Sequence, residues 1–394
     1  MKMIKQTVPA LLMSSGAVLV TLSPWSAAAA ADSIWPASGI EAPELGGRLQ
    51  YDLSLFDNDD RGDRNTSGTE VRRVWVDLSG TLYDFDYKVE FDFANNELTS
   101  KSLFLAHKLG PGTLTIGQFK QYFSLNDRTS SKYTTFMERS YLAQTLAPSY
   151  QTGIGYLGAI GHSSFSGTVY NLDNNDPDAA DGMGGSIRLT TAPVLSDSRV
   201  VHLGGSFAYE AYGENNDGSQ PVLFRVRPAG HMSDASRTTL LAFDDGSDVD
   251  GYKYSIEFAA VMGPLSFQSE YGGADYESDS VDGKIQTYYG YVSYFLTGEH
   301  RAYSAKSGAF SRVSPGAASG AWELAARYDL INGKQHGAAA GEIEVEGLTL
   351  GVNWYMNPYV RVMFDYTDSH IEDRDSGSTL DDTQALTARL ALEF

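Results

Sequence analysis

The chain has 394 residues, no cysteine, 42% hydrophobic residues and a formal net charge of -21 from 29 basic and 50 acidic side chains. The absence of cysteine excludes disulfide and thiol chemistry, and a mean hydropathy of -0.27, with no long uninterrupted apolar run beyond the N-terminal segment, excludes a membrane helix in the body of the chain. The 40 Gly, 24 Tyr and 18 Phe suit many short strands joined by glycine turns and flanked by aromatic girdles.

In chain order, Lys2 and Lys5 precede an apolar run from Val8 to Leu22, and Ala27 to Ala31 supply small residues before Asp32. That is the layout of a secretory signal peptide, so residues 1–31 read as an export signal and 32–394 as one domain. From Leu45 the side chains alternate: Leu49, Tyr51, Leu53 and Leu55 take one side, and Arg48, Gln50, Asp52 and Ser54 the other. Phe85, Tyr87, Val89, Phe91 and Phe93 repeat this against Asp86, Lys88, Glu90 and Asp92. Further along, Tyr252, Tyr254, Ile256 and Phe258 oppose Lys253 and Glu257, and Val360, Val362, Phe364 and Tyr366 oppose Arg361 and Asp365. A charge at almost every second inner position is unlike a packed core, where charges must be paired. That face is expected to be wet.

The pattern segments into strands near 45–55, 71–79, 83–93, 102–108, 113–119, 151–161, 164–170, 182–191, 200–212, 251–261, 265–271, 285–296, 320–330, 346–355, 359–368 and 384–394. Sixteen is an even number, as single-chain bacterial barrels require, and only alternate residues of such strands face lipid. The expected fold is all-β: a 16-stranded antiparallel transmembrane β-barrel. Short connections such as Leu109 to Gly112, Met262 to Pro264 and Met356 to Pro358 alternate with long ones, as for a barrel with one tight rim. Strand parity places the long segment Thr297 to Ser319 on that tight rim, so either the rim carries one excursion or the count is off by one. Leu386, Ala388, Leu390, Leu392 and Phe394 form a last apolar stripe ending in an aromatic, as the closing strand of an outer-membrane barrel commonly does. A strand closing a soluble sandwich is the plainer alternative.

Enzyme signals are poor. The histidines at 107, 162, 202, 231, 300, 336 and 370 lack metal-ligand spacing, and no G-x-S-x-G or phosphate-cradling glycine loop occurs. No catalytic residue, cofactor, metal or nucleic-acid partner is expected. The acidic run Asp57 to Asp63 carries Arg61 where a calcium ligand would be wanted, and reads better as a solvated loop bridged to lipopolysaccharide by divalent ions. Three basic clusters carry more weight. Arg72 and Arg73 open the second strand, where strict alternation sends only Arg73 into the lumen. Arg225, Arg227 and Arg237 sit in the longest loop. Lys120, Arg128, Lys132 and Arg139 lie between the fifth and sixth strands, in a segment too long for a hairpin turn without a task. Singly, each reads as a solvated charge or rim ion pair; together, guanidinium forks and ammonium groups lining a pore would replace part of an anion's water shell.

The run Gly117 to Leu125, followed by Thr129 to Lys132 and Phe136 to Ser140, resembles the constriction-loop signature of the phosphate-selective porin O and P family. Tyr294 to Glu299 with Arg301, Tyr303, Gly308, Phe310 and Arg312, then Gly320 to Tyr328 and Leu350 to Pro358, extend the resemblance along the chain. It implies a homotrimeric outer-membrane barrel with a loop folded into each lumen and arginines along the path. It also implies passive diffusion of small anions, favouring phosphate or polyphosphate, in the outer membrane of a Gram-negative bacterium. Contacts with membrane lipid and lipopolysaccharide follow, as does recognition of the strand ending in Phe394 by the barrel-assembly machinery. By resemblance, Arg72 and Arg73 match the family's constriction pair, Arg139 another lining arginine, and Arg225 and Arg227 its inward-folded arginine loop. One position departs: Asp127 stands where phosphate-binding members carry a lysine. An unpaired carboxylate there would repel phosphate unless Arg128 offset it. Two other readings therefore stay open, a general or weakly selective porin on the same barrel and a plugged structural or adhesive barrel.

Overall fold

The computed structural model describes residues 42–394 apart from 58–64, 95–96, 173–180, 214–221, 233–236 and 338–339. The expected export signal and most of the acidic loop after Asp57 lie outside the described residues.

Alternating side chains give strands, and adjacent strands joined by tight turns pair antiparallel. The first nine are β1 (Glu44–Asp57), β2 (Gly68–Leu82), β3 (Phe85–Asp92), β4 (Thr99–Leu109), β5 (Gly112–Lys120), β6 (Tyr150–Ile160), β7 (Ser163–Asn171), β8 (Gly182–Ser196) and β9 (Arg199–Tyr212). A short hairpin follows, β10 (Val222–Val226) and β11 (Thr238–Phe243), then β12 (Val249–Met262), β13 (Leu265–Glu277) and β14 (Val281–Phe295). A second small hairpin, β15 (Tyr303–Ser304) and β16 (Ala309–Phe310), precedes β17 (Ala321–Gly337), β18 (Gly341–Tyr355), β19 (Val360–Asp373) and β20 (Ser378–Glu393). Sixteen of these close a barrel, β1 pairing with both β2 and β20, while β10–β11 and β15–β16 stand apart as two-stranded sheets. The sixteen expected strands are these sixteen. Outward-facing Leu, Ile, Phe and Tyr side chains, among them Leu53, Ile187, Ile256, Phe364 and Leu390, remain exposed around the cylinder, as a lipid-facing band requires.

Several strands run further toward the long-loop rim than the alternation indicated. Beyond the apolar band their outward positions turn polar, as in the pairs Lys284–Asp275 at 3.1 Å and Lys334–Glu342 at 2.7 Å. These ends stand clear of lipid, so the apolar signal that marks a strand is absent there. The segment Thr297 to Ser319 does lie on the tight rim, and the count of sixteen stands. Its β15–β16 hairpin turns into the lumen, where Arg188 of β8 donates to the carbonyl of Gly308 at 2.7 Å while forking onto Glu257 of β12 at 2.8 and 2.7 Å. His202 bridges Glu257, at 3.0 Å, and the Tyr303 hydroxyl, at 2.6 Å.

The expectation of a wet inner face holds for only part of the wall. Opposite β9 and β12 to β19, the interior is filled by a hydrophobic cluster. Leu142 and Leu146 of the loop between β5 and β6, with Val222, Phe224, Leu241 and Phe243 of β10–β11, pack on Tyr276, Ile285, Ile331 and Val345. Gly333 on β17 lets the hairpin lie flush, since a Cβ there would fall 2.6 Å from Leu240 Cβ and 2.9 Å from its carbonyl oxygen. The charges on this side are buried because they serve the inserted backbone, whose polar groups are cut off from water. Asp365 accepts from Met137 N at 2.8 Å, Arg361 donates to the carbonyls of Thr134 and Thr135, Arg327 to that of Glu138 and Arg389 to that of Met137. The inner stripe of charge is therefore a docking surface for the loop on one side and a water-facing wall on the other.

Candidate functional site

The loop between β5 and β6 enters the barrel at Lys120 and carries two short helices, α1 (Leu125–Arg128) and α2 (Tyr141–Leu146). Ser124 begins α1 at φ 63, a conformation rare for a non-glycine residue. It is held there by Glu270 of β13, whose carboxylate accepts from Leu125 N at 2.7 Å, Asn126 N at 2.9 Å and the Ser124 hydroxyl at 3.1 Å. Ser140 caps α2 by accepting from Ala143 N, and Asp329 accepts from Tyr141 N at 3.2 Å. The loop is thus fixed at both helical starts and cannot fill the whole lumen.

What it leaves is a cavity of about 730 Å³ against β1 to β6, closed from the other side by the β10–β11 segment. Eleven of the lining residues are Arg or Lys and four are Asp or Glu, in a chain whose formal net charge is -21. Of the residues singled out in the sequence, Arg72, Arg73, Lys120, Asp127, Arg128, Arg139, Arg225, Arg227 and Arg237 lie on its wall, whereas Lys132, grouped with the loop cations in the sequence, is not among its lining residues. Arg48 and Lys88, which the alternation put on the inner face without a place in the site, line it too, as do Lys101 and Trp75, which sequence reasoning left aside.

Strict alternation fails at Arg72 and Arg73. Gln50 pairs with Arg73 and Tyr51 with Val71, so Arg72 is the extra residue of a β-bulge. Two residues then oppose one and neighbours can share a face. Both arginines reach the lumen: Arg72 meets the Glu138 carboxylate at 3.4 Å and Arg73 donates to Gln50 Oε1 at 2.6 Å. A second register shift, between Glu90 and Phe91, leaves Lys101 as the extra residue of β4.

Asp127 is not the unpaired carboxylate that the sequence suggested. It is 3% exposed, with Lys120 Nζ at 2.7 Å and Arg139 Nε at 3.8 Å. Arg128 does not pair with it directly: that guanidinium donates to the carbonyls of Lys120 and Gln121, lies 4.7 Å over the Tyr122 ring and feels Asp127 only through space. Burial, ahead of the neighbouring charges, lowers the Arg128 pKa from its ordinary value. Arg139 also donates to the carbonyls of Asn126 and Thr129. Burial opposes ionisation of Glu138, but Arg72, Arg389 and Arg73 outweigh it and hold the carboxyl well below the usual range. Several lining cations rest on rings: Arg48 lies 4.1 Å and Lys101 5.6 Å from the Trp75 centroid, and Lys120 5.8 Å from that of Tyr150. A ring face attracts a cation without cancelling its charge as a carboxylate would. No group of three or more His, Asp or Glu able to hold a metal ion occurs among the described residues.

The family model for phosphate-selective porin O and P matches residues 44–394. The chain is 30% identical over 391 residues to Porin O of Pseudomonas aeruginosa, covering 89% of this chain and 88% of that protein. It is 26% identical over 331 residues to an uncharacterized protein of Caulobacter vibrioides, covering 77% and 64% respectively. Among solved structures, an anion-selective porin from Comamonas acidovorans aligns at TM-score 0.58 and 10% identity, over 90% of this chain and 99% of that one. Outer-membrane expressed OmpT of Vibrio cholerae aligns at TM-score 0.58 and 13% identity, over 91% and 99%. These two share the fold. With the family model spanning the whole barrel and a relative matched over nearly its full length, the chain belongs to the phosphate-selective porin O and P family and is an outer-membrane anion porin, a channel and not an enzyme.

Proposed function

We propose that the channel conducts small oxyanions, with phosphate or polyphosphate as favoured cargo, along the cationic wall of β1 to β6. The observation that carries this reading is the excess of eleven basic over four acidic residues around one cavity in an acidic protein. Arg225, Arg227 and Arg237 attract the anion from outside, Arg72, Arg73 and Arg139 hold it at the narrows, and Lys120 and Arg128 complete the path. Asp127 weakens that hold by engaging Lys120 and Arg139, and conduction requires a hold weak enough for release. The channel acts as a homotrimer, the form in which the Vibrio cholerae barrel has been described. It is exported by the signal in residues 1–31, inserted by the assembly machinery through the strand ending in Phe394, and surrounded by lipid and lipopolysaccharide.

Reversal potentials in a potassium chloride gradient test the sign of the charge carried. Chloride is expected to carry most of the current, with added phosphate reducing it, and Arg139→Ala is expected to relieve that block by about tenfold, the loss of one charge-assisted contact. Potassium-dominated current would defeat the anion reading and leave the barrel standing. A general porin remains the second reading, because Asp127 ties up two of the lining cations.

A further inference from the structure

Two bulges put extra cations into the wall of the channel, and only one of them follows from an arginine pair visible in the sequence. Lys101 is the other. In β3–β4 pairing Glu90 sits opposite Ser102 and Phe91 opposite Ser100, so Lys101 is the residue the ladder skips. Its side chain lines the cavity with Arg73 of β2. These two strands flank β3, about 10 Å apart across the sheet, and the register sets Arg73 about three residues along from Lys101, so the two long side chains reach toward each other from both sides of the wall.

Most neighbouring cations are already committed. Lys120 and Arg139 face Asp127, Lys88 is 2.9 Å and Arg48 3.9 Å from Glu90, and Arg72 is on Glu138. Among the described residues, Arg73 and Lys101 have no carboxylate within 4.0 Å. Glu138, the carboxylate that acts on Arg73 through space, is bonded to Arg72 and Arg389, and Asp92, which acts on Lys101, turns one oxygen onto Val74 N at 3.2 Å and Ala94 N at 3.1 Å. Arg73 is steadied by Gln50 Oε1, a neutral acceptor, and Lys101 by the ring face of Trp75. Both supports leave the positive charge available. The indole Nε1 of Trp75, buried and without a hydrogen-bond partner, adds a donor on the same wall.

We propose that Lys101 and Arg73 together form an oxyanion subsite on the barrel wall, so that in this chain the anion is gripped from the β2–β4 side while Asp127 occupies the cations of the inner loop. This rests on the anion reading above. Lysine supplies a compact charge and arginine a two-oxygen fork, which suits an anion presenting several oxygens, such as inorganic phosphate.

The chain has no cysteine, so Lys101→Cys places a single thiol in the full-length channel. In planar bilayers, the phosphate concentration that halves the chloride current is expected to rise about tenfold in Lys101→Cys, as for the loss of one charge-assisted hydrogen bond. Treating the same inserted channels with an aminoethyl thiosulfonate restores an ammonium at that point and is expected to return the block close to its original concentration. A sulfonatoethyl reagent is expected to abolish it. Because all three readings come from one folded channel, loss of folding cannot mimic the result. Phosphate block unchanged in Lys101→Cys, or insensitive to the sign of the attached group, overturns the subsite. A wild-type channel that prefers potassium, or that phosphate does not block, removes the anion reading and the subsite with it.

Discussion

Asp127 shows how a single side chain can be read one way in sequence and another in space. Its position on α1, three residues past the Glu270-held turn, points it at Lys120 and Arg139 rather than at passing anions. Asp127→Asn is therefore expected to free two cations and lower the half-blocking phosphate concentration several-fold, since an ion pair at this range is worth on the order of a few kcal/mol before desolvation. Unchanged block in that variant would show that Asp127 does not compete with the anion. A second residue-scale expectation concerns acid. Glu138 has its carboxyl well below the usual range, so the stability it contributes is present above the unfolded carboxylate value and lost only as pH falls through the depressed folded value. Thermal unfolding followed from pH 8 to pH 5 is expected to show no loss attributable to this group in a wild-type against Glu138→Gln comparison. A gap between the two that closes already above pH 5 would contradict it. These partnerships were not legible in the sequence, because Asp127, Lys120 and Arg139 meet only once the loop has turned inward. The residue types themselves were legible, since basic clusters in a chain of net charge -21 stand out.

At the scale of elements, period-two alternation located the barrel strands and failed at the bulges that hold Arg72 and Lys101, two of the four register shifts among the described barrel residues, where one inserted residue places neighbours on the same face. Arg72 tests this directly. Deleting it leaves Val71 outward and Arg73 inward in an unbroken alternation, so the shortened strand is expected to insert normally and to match Arg72→Ala in anion preference. A deletion that fails to insert would mean the bulge is needed for the barrel itself. Alternation was also silent on what the inner face meets. Arg361 and Asp365 of β19 are expected from the alternation to face water, yet they, with Arg327 and Asp329 of β17 and Asn353 of β18, are buried beneath the loop whose backbone they satisfy. Gly333 marks the same contact from the hairpin side. Gly333→Val is expected to lift the β10–β11 hairpin off the wall and lower conductance by pushing it toward the channel. Conductance unchanged from wild type would show that the hairpin does not border the path there.

For the whole molecule, the net charge is acidic while the wall of the cavity is cationic, with basic residues gathered where the path is narrow. Only that local field acts on a permeating ion. Its reach is set by screening, so the ratio of anion to cation permeability is expected to fall as salt is raised from about 0.1 M, where the Debye length is near 10 Å, to 1 M, where it is near 3 Å. A ratio independent of salt would assign selectivity to pore size instead.

The seam of the cylinder has a consequence for when the conduit comes into being. Asp52 and Arg389 face each other across β1 and β20, with Arg389 Nε and Nη2 at 2.7 and 2.6 Å from the carboxylate, and the same guanidinium reaches Glu138 at 2.9 Å. Docking the final strand thus zips the wall and locks the lumen loop in one act. Removing Asp52 as Asp52→Ala leaves that buried guanidinium with Glu138 and the Met137 carbonyl as its remaining acceptors, so the loss is expected to stay below the roughly 3–5 kcal/mol of a fully unpaired buried charge, and melting in detergent would register it. Until that last seam forms, neither the continuous wall nor the full set of contacts on the lumen loop that together frame the passage is complete.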